Sequence, residues 1–417
     1  MSHIKPFKAV RPYPQYARAV AAVPYDVLNW EEAKALARDN PFSFLHVEKS
    51  EIDIPSYPHV DETEIFTKAH TNLRKLLDDH VLFQEAVPCY YIYSQKMGHH
   101  VQYGIVAIAS VREYETGFIK RHEYTTKEKE RERILHVDRV NAHTGPVFLT
   151  YRSEEIIDRR VEQIIRNPPA YDFTADDGIA HSVWIVSADE DIRAIDEAFQ
   201  GVSTLYIADG HHRAAAAAAV ARMRRQKAKN HRGNGSYEHF LAVIFPHNQL
   251  RIMDYNRVVE DLQGLDGAAF LEKIAESFTI APDFAQKSPE KIHEFGLFLE
   301  GRWYKLTARE GLFDHGDPVK SLDVSILQDH LLGPVLGIAD PRTDKRIDFI
   351  GGIRGMEELE RLVNSGRHRV AFSLYPTSLA QLIAVADAGK VMPPKSTWFE
   401  PKLRSGLFVH LLGEEGP

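Results

Sequence analysis

The residues best suited to chemistry lie together where an apolar run meets a helix-forming tract. Leu205 to Ala208 is apolar, six consecutive alanines follow Arg213, and between them stand Asp209, Gly210, His211, His212 and Arg213. The pattern predicts a strand, a tight turn and a helix N-terminus. Free backbone N–H groups and the helix dipole suit an anion such as a phosphate there, and Arg213 adds a bidentate cation. The alternative is structural: Asp209 only caps the helix and the histidines satisfy local polar groups.

A histidine and a carboxylate stand side by side before a long charged segment. His122 and Glu123 precede Thr125 and Thr126, either of which can cap the helix that follows. A loop carboxylate beside a histidine is a candidate general base. Solvated loop residues of no special role have the same pattern, so both interpretations stay open.

Two further segments carry candidate cleft residues. Tyr25 and Asp26 follow Pro24 in a turn held by proline, where Asp26 either lines a site or caps the next helix. Near the C-terminus, a proline-rich segment contains the candidates Lys395, Ser396, Thr397 and Lys402. The segment fails as a nucleotide loop because it lacks the upstream glycines and its prolines remove N–H donors. Its lysines remain candidates for a shared cleft.

Helical and strand patterns alternate around these motifs. We predict a hairpin of Tyr90 to Gln95 with Val101 to Val111, a strand over Phe42 to Val47, a helix over Lys127 to Val140 and a strand over Pro146 to Tyr151. A cluster of Asp, Gly and Leu between about residues 259 and 267 predicts a domain boundary. The expected fold class is α+β, with one domain over residues 1–262 and a C-terminal α/β domain over residues 263–417.

Composition narrows the functional class. The chain has 417 residues, a net charge of −8 and a single cysteine, Cys89, so an internal disulfide and a cysteine-rich metal site are excluded. The acidic balance argues against a nucleic-acid-binding protein, and the basic segment from Arg222 to Arg232 is typical of a solvated helix end. The N-terminus lacks the apolar core of a signal peptide, and no stretch is apolar for long enough to span a bilayer. We expect a cytoplasmic protein.

Four separated motifs together resemble a known family. Pro24 to Val27, His122 to Thr125, Ala208 to Arg213 and Met392 to Thr397 occur in the order found in the bacterial and archaeal domain-of-unknown-function family numbered 1015. The central part also resembles the ParB/sulfiredoxin superfamily, whose members hold nucleotide phosphates with a Gly-x-x-Arg element at a helix start. The resemblance implies a ParB/sulfiredoxin-like nucleotide-binding core with N-terminal and inserted elements.

The branches of that superfamily differ at the motif. His211 stands where sulfiredoxin has its catalytic cysteine, and the Gly-Glu-Arg-Arg box of ParB proteins is Gly-His-His-Arg here. Asp209 to Arg213 and Glu123 instead resemble the free-serine kinases. About sixty residues separate Pro146 from Asp209, where those compact kinases have a much shorter connection.

This resemblance implies phosphoryl transfer from ATP or ADP to the hydroxyl of a small metabolite, with L-serine as first choice. Glu123, with His122 beside it, would act on the hydroxyl, and Gly210, His211, His212 and Arg213 would bind phosphate. Asp209 would hold Mg²⁺ or the acceptor. A non-catalytic nucleotide-binding regulator and a nucleotide hydrolase or nuclease of ParB-like type are the alternatives. We expect a small-molecule substrate, no membrane and no nucleic-acid partner, and a homodimer stays open.

Overall fold

The computed structural model describes residues 4–227, 233 and 235–413, which divide into two compact units. The first unit contains residues 4–121, 125–250 and 401–413 of the described chain, and the second contains residues 122–124 and 251–400. The predicted boundary after residue 262 stays a prediction. In the structure, the chain passes from the first unit to the second between residues 250 and 251 and returns to the first unit at residue 401.

The strands, in chain order, are β1 Ile4–Lys5, β2 Val10–Pro12, β3 Leu82–Gln84, β4 Tyr90–Met97, β5 His100–Ser110, β6 Ile119–Lys120, β7 Ala142–His143, β8 Val147–Tyr151, β9 Tyr171–Thr174, β10 Ala180–Val186, β11 Leu205–Asp209, β12 His239–Pro246, β13 Arg251–Met253, β14 Tyr255–Val259, β15 Phe278–Pro282, β16 Glu294–Leu299, β17 Arg302–Ala308, β18 Ile347–Gly351, β19 Val370–Leu374, β20 Trp398–Glu400 and β21 His410–Leu411. The α-helices are α1 Ala17–Val20, α2 Trp30–Ala37, α3 Leu45–Glu48, α4 Glu62–Asp78, α5 Val111–Glu115, α6 Lys127–Val140, α7 Glu155–Ile164, α8 Asp189–Phe199, α9 His211–Lys227, α10 Gly267–Ala275, α11 Asp323–Leu327, α12 Met356–Asn364 and α13 Leu379–Asp387. Short 3-10 turns cover Pro14–Tyr16, Tyr25–Val27, Ser50–Asp53, Ser236–Glu238, His247–Gln249 and Gly352–Arg354, and a π-helical turn covers Gln328–Leu332.

A mixed nine-stranded sheet forms the centre of the first unit, in the order β6-β11-β8-β12-β5-β4-β10-β9 with β1 paired to β5. Strand β6 pairs in parallel with β11, and β8 pairs in parallel with β12. Strand β12 lies between β8 and β5 and is buried along nearly its whole length, as its apolar sequence predicts. The mixed α+β class is therefore confirmed.

The alanine tract lets helix α9 lie close to its neighbours. Ala214 to Ala218 and Ala221 are all buried, and α9 packs against α6, which also packs against α4. Small side chains permit this close approach and favour the helix itself. Because α9 begins directly after β11, the packing fixes the direction in which its first turn points.

The second unit contains a six-stranded antiparallel sheet in the order β15-β17-β16-β19-β14-β18. Helix α12 packs on β19, β16 and β14. Its buried residues Leu359 and Leu362 join Val258, Phe298 and Ala371 in one apolar cluster.

One predicted strand is wrong. Phe42 to Val47 does not extend: a turn through Asn40 to Phe44 leads into helix α3. Asn40 accepts a hydrogen bond from the Phe42 N–H at 3.2 Å, and Ser43 Oγ accepts one from the Leu45 N–H at 3.3 Å. These side chains stabilise a turn that apolar content alone does not reveal.

In the part of the chain that the structure describes, no helix has both the length and the apolar character needed to cross a membrane. Of the basic segment predicted to end a helix, Lys229 and Arg232 lie outside the described residues.

Candidate functional site

The predicted strand, turn and helix are present at the central motif. Asp209 ends β11, Gly210 has φ +90°, and the Gly210 carbonyl accepts the first helical hydrogen bond from the Ala214 N–H at 3.1 Å. This φ favours glycine, and a Cβ at Gly210 would also lie 3.4 Å from Val147 Cα of the neighbouring strand β8. The turn thus brings the helix start directly beside β8.

Arg213 is held firmly on the first turn of α9. Its Nη1 donates to the Pro146 carbonyl at 2.8 Å, and its Cζ lies 5.3 Å from the centre of the Tyr25 ring. Gly145 leaves room for it, because a Cβ there would lie 2.9 Å from Arg213 Cζ. Nη2 is buried and has no hydrogen-bond partner among the described residues. A fixed guanidinium with an unused N–H edge is suited to a ligand oxygen.

Asp209 does not act as a simple helix cap. Its Oδ1 accepts from the adjacent Gly210 N–H at 2.8 Å, and its Oδ2 accepts from Lys402 Nζ at 2.8 Å. Burial by itself would raise the pKa of Asp209, but the Lys402 ammonium, with a smaller effect of Arg213, holds it well below its ordinary value. Asp209 is therefore ionised at neutral pH.

These contacts engage both carboxylate oxygens of Asp209, one with the turn and one with Lys402. The predicted role of Asp209, to hold Mg²⁺ or the acceptor, stays a prediction.

A small pocket of about 20 Å³ joins several predicted residues in the first unit. Its lining is formed by Pro24, Asp26, Pro146, Phe148, Asp209, Gly210, Arg213, Lys402 and Leu403. Two cations and two carboxylates thus surround one pocket at the helix start. Asp26 is not a helix cap, because Asn29 and Glu32 form a capping box at the start of α2.

A second small cavity, of about 20 Å³, is also lined by Arg213. Its lining is formed by Glu48, Arg133, His136, Val137, His143, Thr144, Gly145 and Arg213. Arg133 Nη1 donates to Glu48 Oε2 at 3.1 Å, and Thr144 Oγ1 donates to Glu48 Oε1 at 2.5 Å. The sequence interpretation missed Glu48, Arg133 and His136, all of which are almost completely buried.

The Tyr25 ring lies close to both arginines of this region. The Arg133 Cζ is 4.0 Å from the centre of its ring, and Arg213 is on the same ring at 5.3 Å. Burial raises the pKa of Tyr25 to about 12, although Arg133 acts in the opposite direction. Tyr25 therefore stays a neutral phenol with two cations near its ring.

The remaining predicted residues of the helix start are His211 and His212. His211 is buried and His212 half-buried on the first turn of α9. Neither lines the pocket beside Arg213. Their predicted role in phosphate binding stays a prediction.

The other predicted residues lie in the second unit. The Met392 N–H donates to the His122 carbonyl at 2.8 Å, and Thr397 Oγ1 lies 3.4 Å from His122 Nε2. Lys395 Nζ lies 5.8 Å from the Tyr255 ring centre, and Ser396 Oγ donates to the Pro393 carbonyl at 2.6 Å. The His122 segment and the Lys395 segment are therefore held together.

Glu123 follows His122 and is half-buried in the second unit. Its predicted role as general base stays a prediction.

Several solved structures are similar to the chain at low identity. They include a free serine kinase in complex with AMP, with 13% identity, 73% of this chain and 91% of that chain covered, and a TM-score of 0.38. The match to a conserved hypothetical protein from Pyrococcus furiosus has 14% identity, covers 73% of this chain and 95% of that chain, and has a TM-score of 0.37. The match to SbnI with a C-terminal truncation, from Staphylococcus aureus, has 10% identity, covers 75% of this chain and 90% of that chain, and has a TM-score of 0.39. No curated protein matches the chain.

The family model of proteins of unknown function DUF1015 matches residues 4–325. This range includes the helix-start motif and all residues that line the two cavities beside Arg213 except Lys402 and Leu403. This is the family that the four motifs resemble. The chain therefore belongs to the DUF1015 family.

Proposed function

We propose that the first unit binds the phosphate groups of ATP or ADP and that the protein transfers a phosphoryl group to the hydroxyl of a small metabolite, with L-serine as first choice. The observation that carries the proposal is the Arg213 guanidinium. It is anchored on one edge by the Pro146 carbonyl and lines a pocket at a helix start, while Nη2 has no partner among the described residues.

Two of the charged groups around this pocket suit a phosphate, and the carboxylates of Asp26 and Asp209 also line it. Arg213 and Lys402 supply two cations, and the first turn of the 17-residue helix α9 adds backbone N–H groups and the positive end of its dipole. Phosphoryl transfer needs little covalent help from the protein, because positioning and stabilisation of charge on the transferring group supply most of the catalysis. Asp209 keeps Lys402 in place by the ion pair at 2.8 Å.

The role of Glu123 rests on the family resemblance. A carboxylate that orients or deprotonates the acceptor hydroxyl is the usual partner of such a phosphate site. We propose this role for Glu123, and the Glu123→Gln variant tests it.

The experiment is a phosphotransfer assay on the full chain with ATP or ADP, Mg²⁺ and L-serine, followed by ³¹P NMR. Phosphoserine that requires both L-serine and the nucleotide supports the proposal. Phosphate release without an acceptor indicates a hydrolase, and saturable nucleotide binding without turnover indicates a regulatory module; either result contradicts the kinase assignment.

The matched variants for this assay are Arg213→Gln and Arg222→Gln, both on helix α9. Arg222 is largely exposed, with an ion pair to Glu115 at 3.5 Å, so its loss should leave turnover unchanged. Arg213→Gln should lower kcat/KM by about a hundredfold or more, because a charged hydrogen bond to the phosphate is lost.

A further inference from the structure

A cavity of about 110 Å³ lies in the first unit between helix α7 and the central sheet. Residues of α7 form one wall, and residues of strands β5, β8 and β12 form the other. One water molecule needs about 10–15 Å³ of cavity on this measure, so several non-hydrogen atoms of a ligand fit here. Phosphoryl transfer at Arg213 makes no use of this cavity.

The cavity is separate from the phosphate pocket. Phe148 of β8 lines the phosphate pocket, whereas Tyr151 of the same strand lines this cavity. Side chains alternate between the two faces along a strand, so residues three apart lie on opposite faces of the sheet. The two sites share no lining residue. A ligand of this cavity therefore makes no contact with the Arg213 pocket.

Two carboxylates without a cationic partner give the cavity a negative charge. Asp158 and Glu162 are four residues apart on α7, so they are neighbours on one face, where two like charges are unfavourable. Neither forms an ion pair within the described chain, and no lysine, arginine or histidine of the described residues lines the cavity. Burial, together with the Glu162 charge, raises the pKa of Asp158. A cation beside the two carboxylates would relieve this cost.

The Tyr151 hydroxyl is a second, independent indication of a ligand. Tyr151 is 1% exposed, and its hydroxyl forms no hydrogen bond to a described residue. Burial raises the pKa of Tyr151, and Asp158 adds to this, so the hydroxyl is neutral and offers both a donor and an acceptor. A buried hydroxyl without a partner is unfavourable and uncommon. It indicates that a polar group of a ligand lies in the cavity.

The remaining lining is largely apolar. It includes the side chains of Ile105, Val161, Ile165 and Pro246, and the ring of Tyr103. A hydrated metal ion gains nothing from such surface, whereas the alkyl chain of an organic cation is removed from water against it. Buried apolar surface beside two carboxylates therefore specifies an organic cation.

We propose that this cavity binds an aliphatic primary amine in its ammonium form. The three N–H groups of the ammonium match three acceptors, the carboxylates of Asp158 and Glu162 and the Tyr151 oxygen. The alkyl chain packs on Val161 and Ile165. This ligand is a further small molecule, distinct from the nucleotide and from the phosphoryl acceptor of the proposed function.

A ligand-observed NMR titration of the full chain at pH 7, without nucleotide, tests the proposal. The probe is n-butylamine, because an aliphatic amine is protonated at this pH. Two comparison probes separate its features: 1-butanol has the same chain without the charge, and tetramethylammonium has the charge without N–H donors. We expect butylammonium to bind about tenfold more tightly than 1-butanol and about fivefold more tightly than tetramethylammonium.

Variants test the named acceptors. Asp158→Asn removes one carboxylate and should weaken butylammonium binding by about tenfold while 1-butanol binding is unchanged. Tyr151→Phe removes only the hydroxyl and should weaken butylammonium binding by about fivefold. The matched control is Glu197→Gln, because Glu197 is exposed on the adjacent helix α8 and does not line the cavity. Arg213→Gln should also leave butylammonium binding unchanged, which separates this site from the phosphate pocket.

Each outcome decides the proposal. Equal affinity for butylammonium and 1-butanol in the wild type overturns the role of charge without any variant. Calcium chloride that displaces butylammonium at a lower concentration than the amine itself needs identifies a metal site and overturns the amine. Absence of saturable butylammonium binding, or binding that is insensitive to Asp158→Asn and Tyr151→Phe, overturns the site. If butylammonium binds as expected but ADP does not bind, the proposed function fails while this inference stands.

Discussion

Removing the Arg133 side chain should show how the buried cluster of Glu48, Arg133 and His136 is stabilised. The Glu48 and Arg133 side chains are 1% and 5% exposed and form one ion pair. Arg133→Met leaves Glu48 as a buried carboxylate without its main cation, which typically costs about 3–5 kcal/mol of stability. The pKa of Glu48 is about 2 in the folded protein, against an ordinary glutamate value of 4.5. This difference corresponds to about 3 kcal/mol of stability, which agrees with the range expected for a broken buried pair. We expect a loss of about 3 kcal/mol at pH 7.

The pH dependence gives the sharper result. Because the pKa of Glu48 is lowered in the folded wild type, its contribution is complete above pH 4.5 and is lost as the pH falls toward 2. In Arg133→Met, burial instead raises the pKa of Glu48, so the folded variant is favoured by protonation. The stability difference between wild type and variant should therefore shrink between pH 7 and pH 3.

Urea denaturation at both pH values measures this difference, with hydrogen exchange of the α6 amides as a local readout. Arg159→Met is the control, because the ion pair of Arg159 with Glu155 is exposed and should contribute under about 1 kcal/mol. A loss below about 1 kcal/mol for Arg133→Met at pH 7, or a difference that does not change on acidification, would refute the reasoning.

Three further predictions concern the proposed function. Gly145→Ala places a Cβ 2.9 Å from Arg213 Cζ and should weaken ADP binding by about tenfold, measured by calorimetry, with little change in urea stability. Lys402→Met removes the cation paired with Asp209. Because the Asp209 side chain is 37% exposed, this change should lower the free energy of unfolding by only about 1–2 kcal/mol at pH 7, and by less at acidic pH. Glu123→Gln should abolish phosphotransfer in the ³¹P assay while ADP binding is unchanged; normal turnover would contradict the role of Glu123.

The helix-start site could be predicted because its causes are local. An apolar run, Asp209-Gly210 and an alanine tract each specify their own element, and the turn then carries Arg213 to the helix start. The sequence did not show whether Lys402 reaches this site. It became a contact to Asp209 only through the fold, because 193 residues separate the two.

The buried cluster could not be predicted in the same way. Arg133 and His136 belong to a strongly charged helix, which suggests a solvated surface, yet they share its inward face with Val137 and Val140. That spacing of three, four and seven residues was the available indication. Glu48 directly follows Phe42 to Val47, which was wrongly predicted as a strand, and the pairing of Glu48 with Arg133 spans 85 residues.

The central claim is that Arg213 and the start of α9 hold a nucleotide phosphate. Calorimetric titration of ADP into the full chain, in parallel for the wild type, Arg213→Gln and the exposed control Arg222→Gln, tests it most directly. We predict saturable binding to the wild type and the control, and at least about tenfold weaker binding to Arg213→Gln. Equal affinity of ADP for all three proteins, or no binding to the wild type, would contradict the claim.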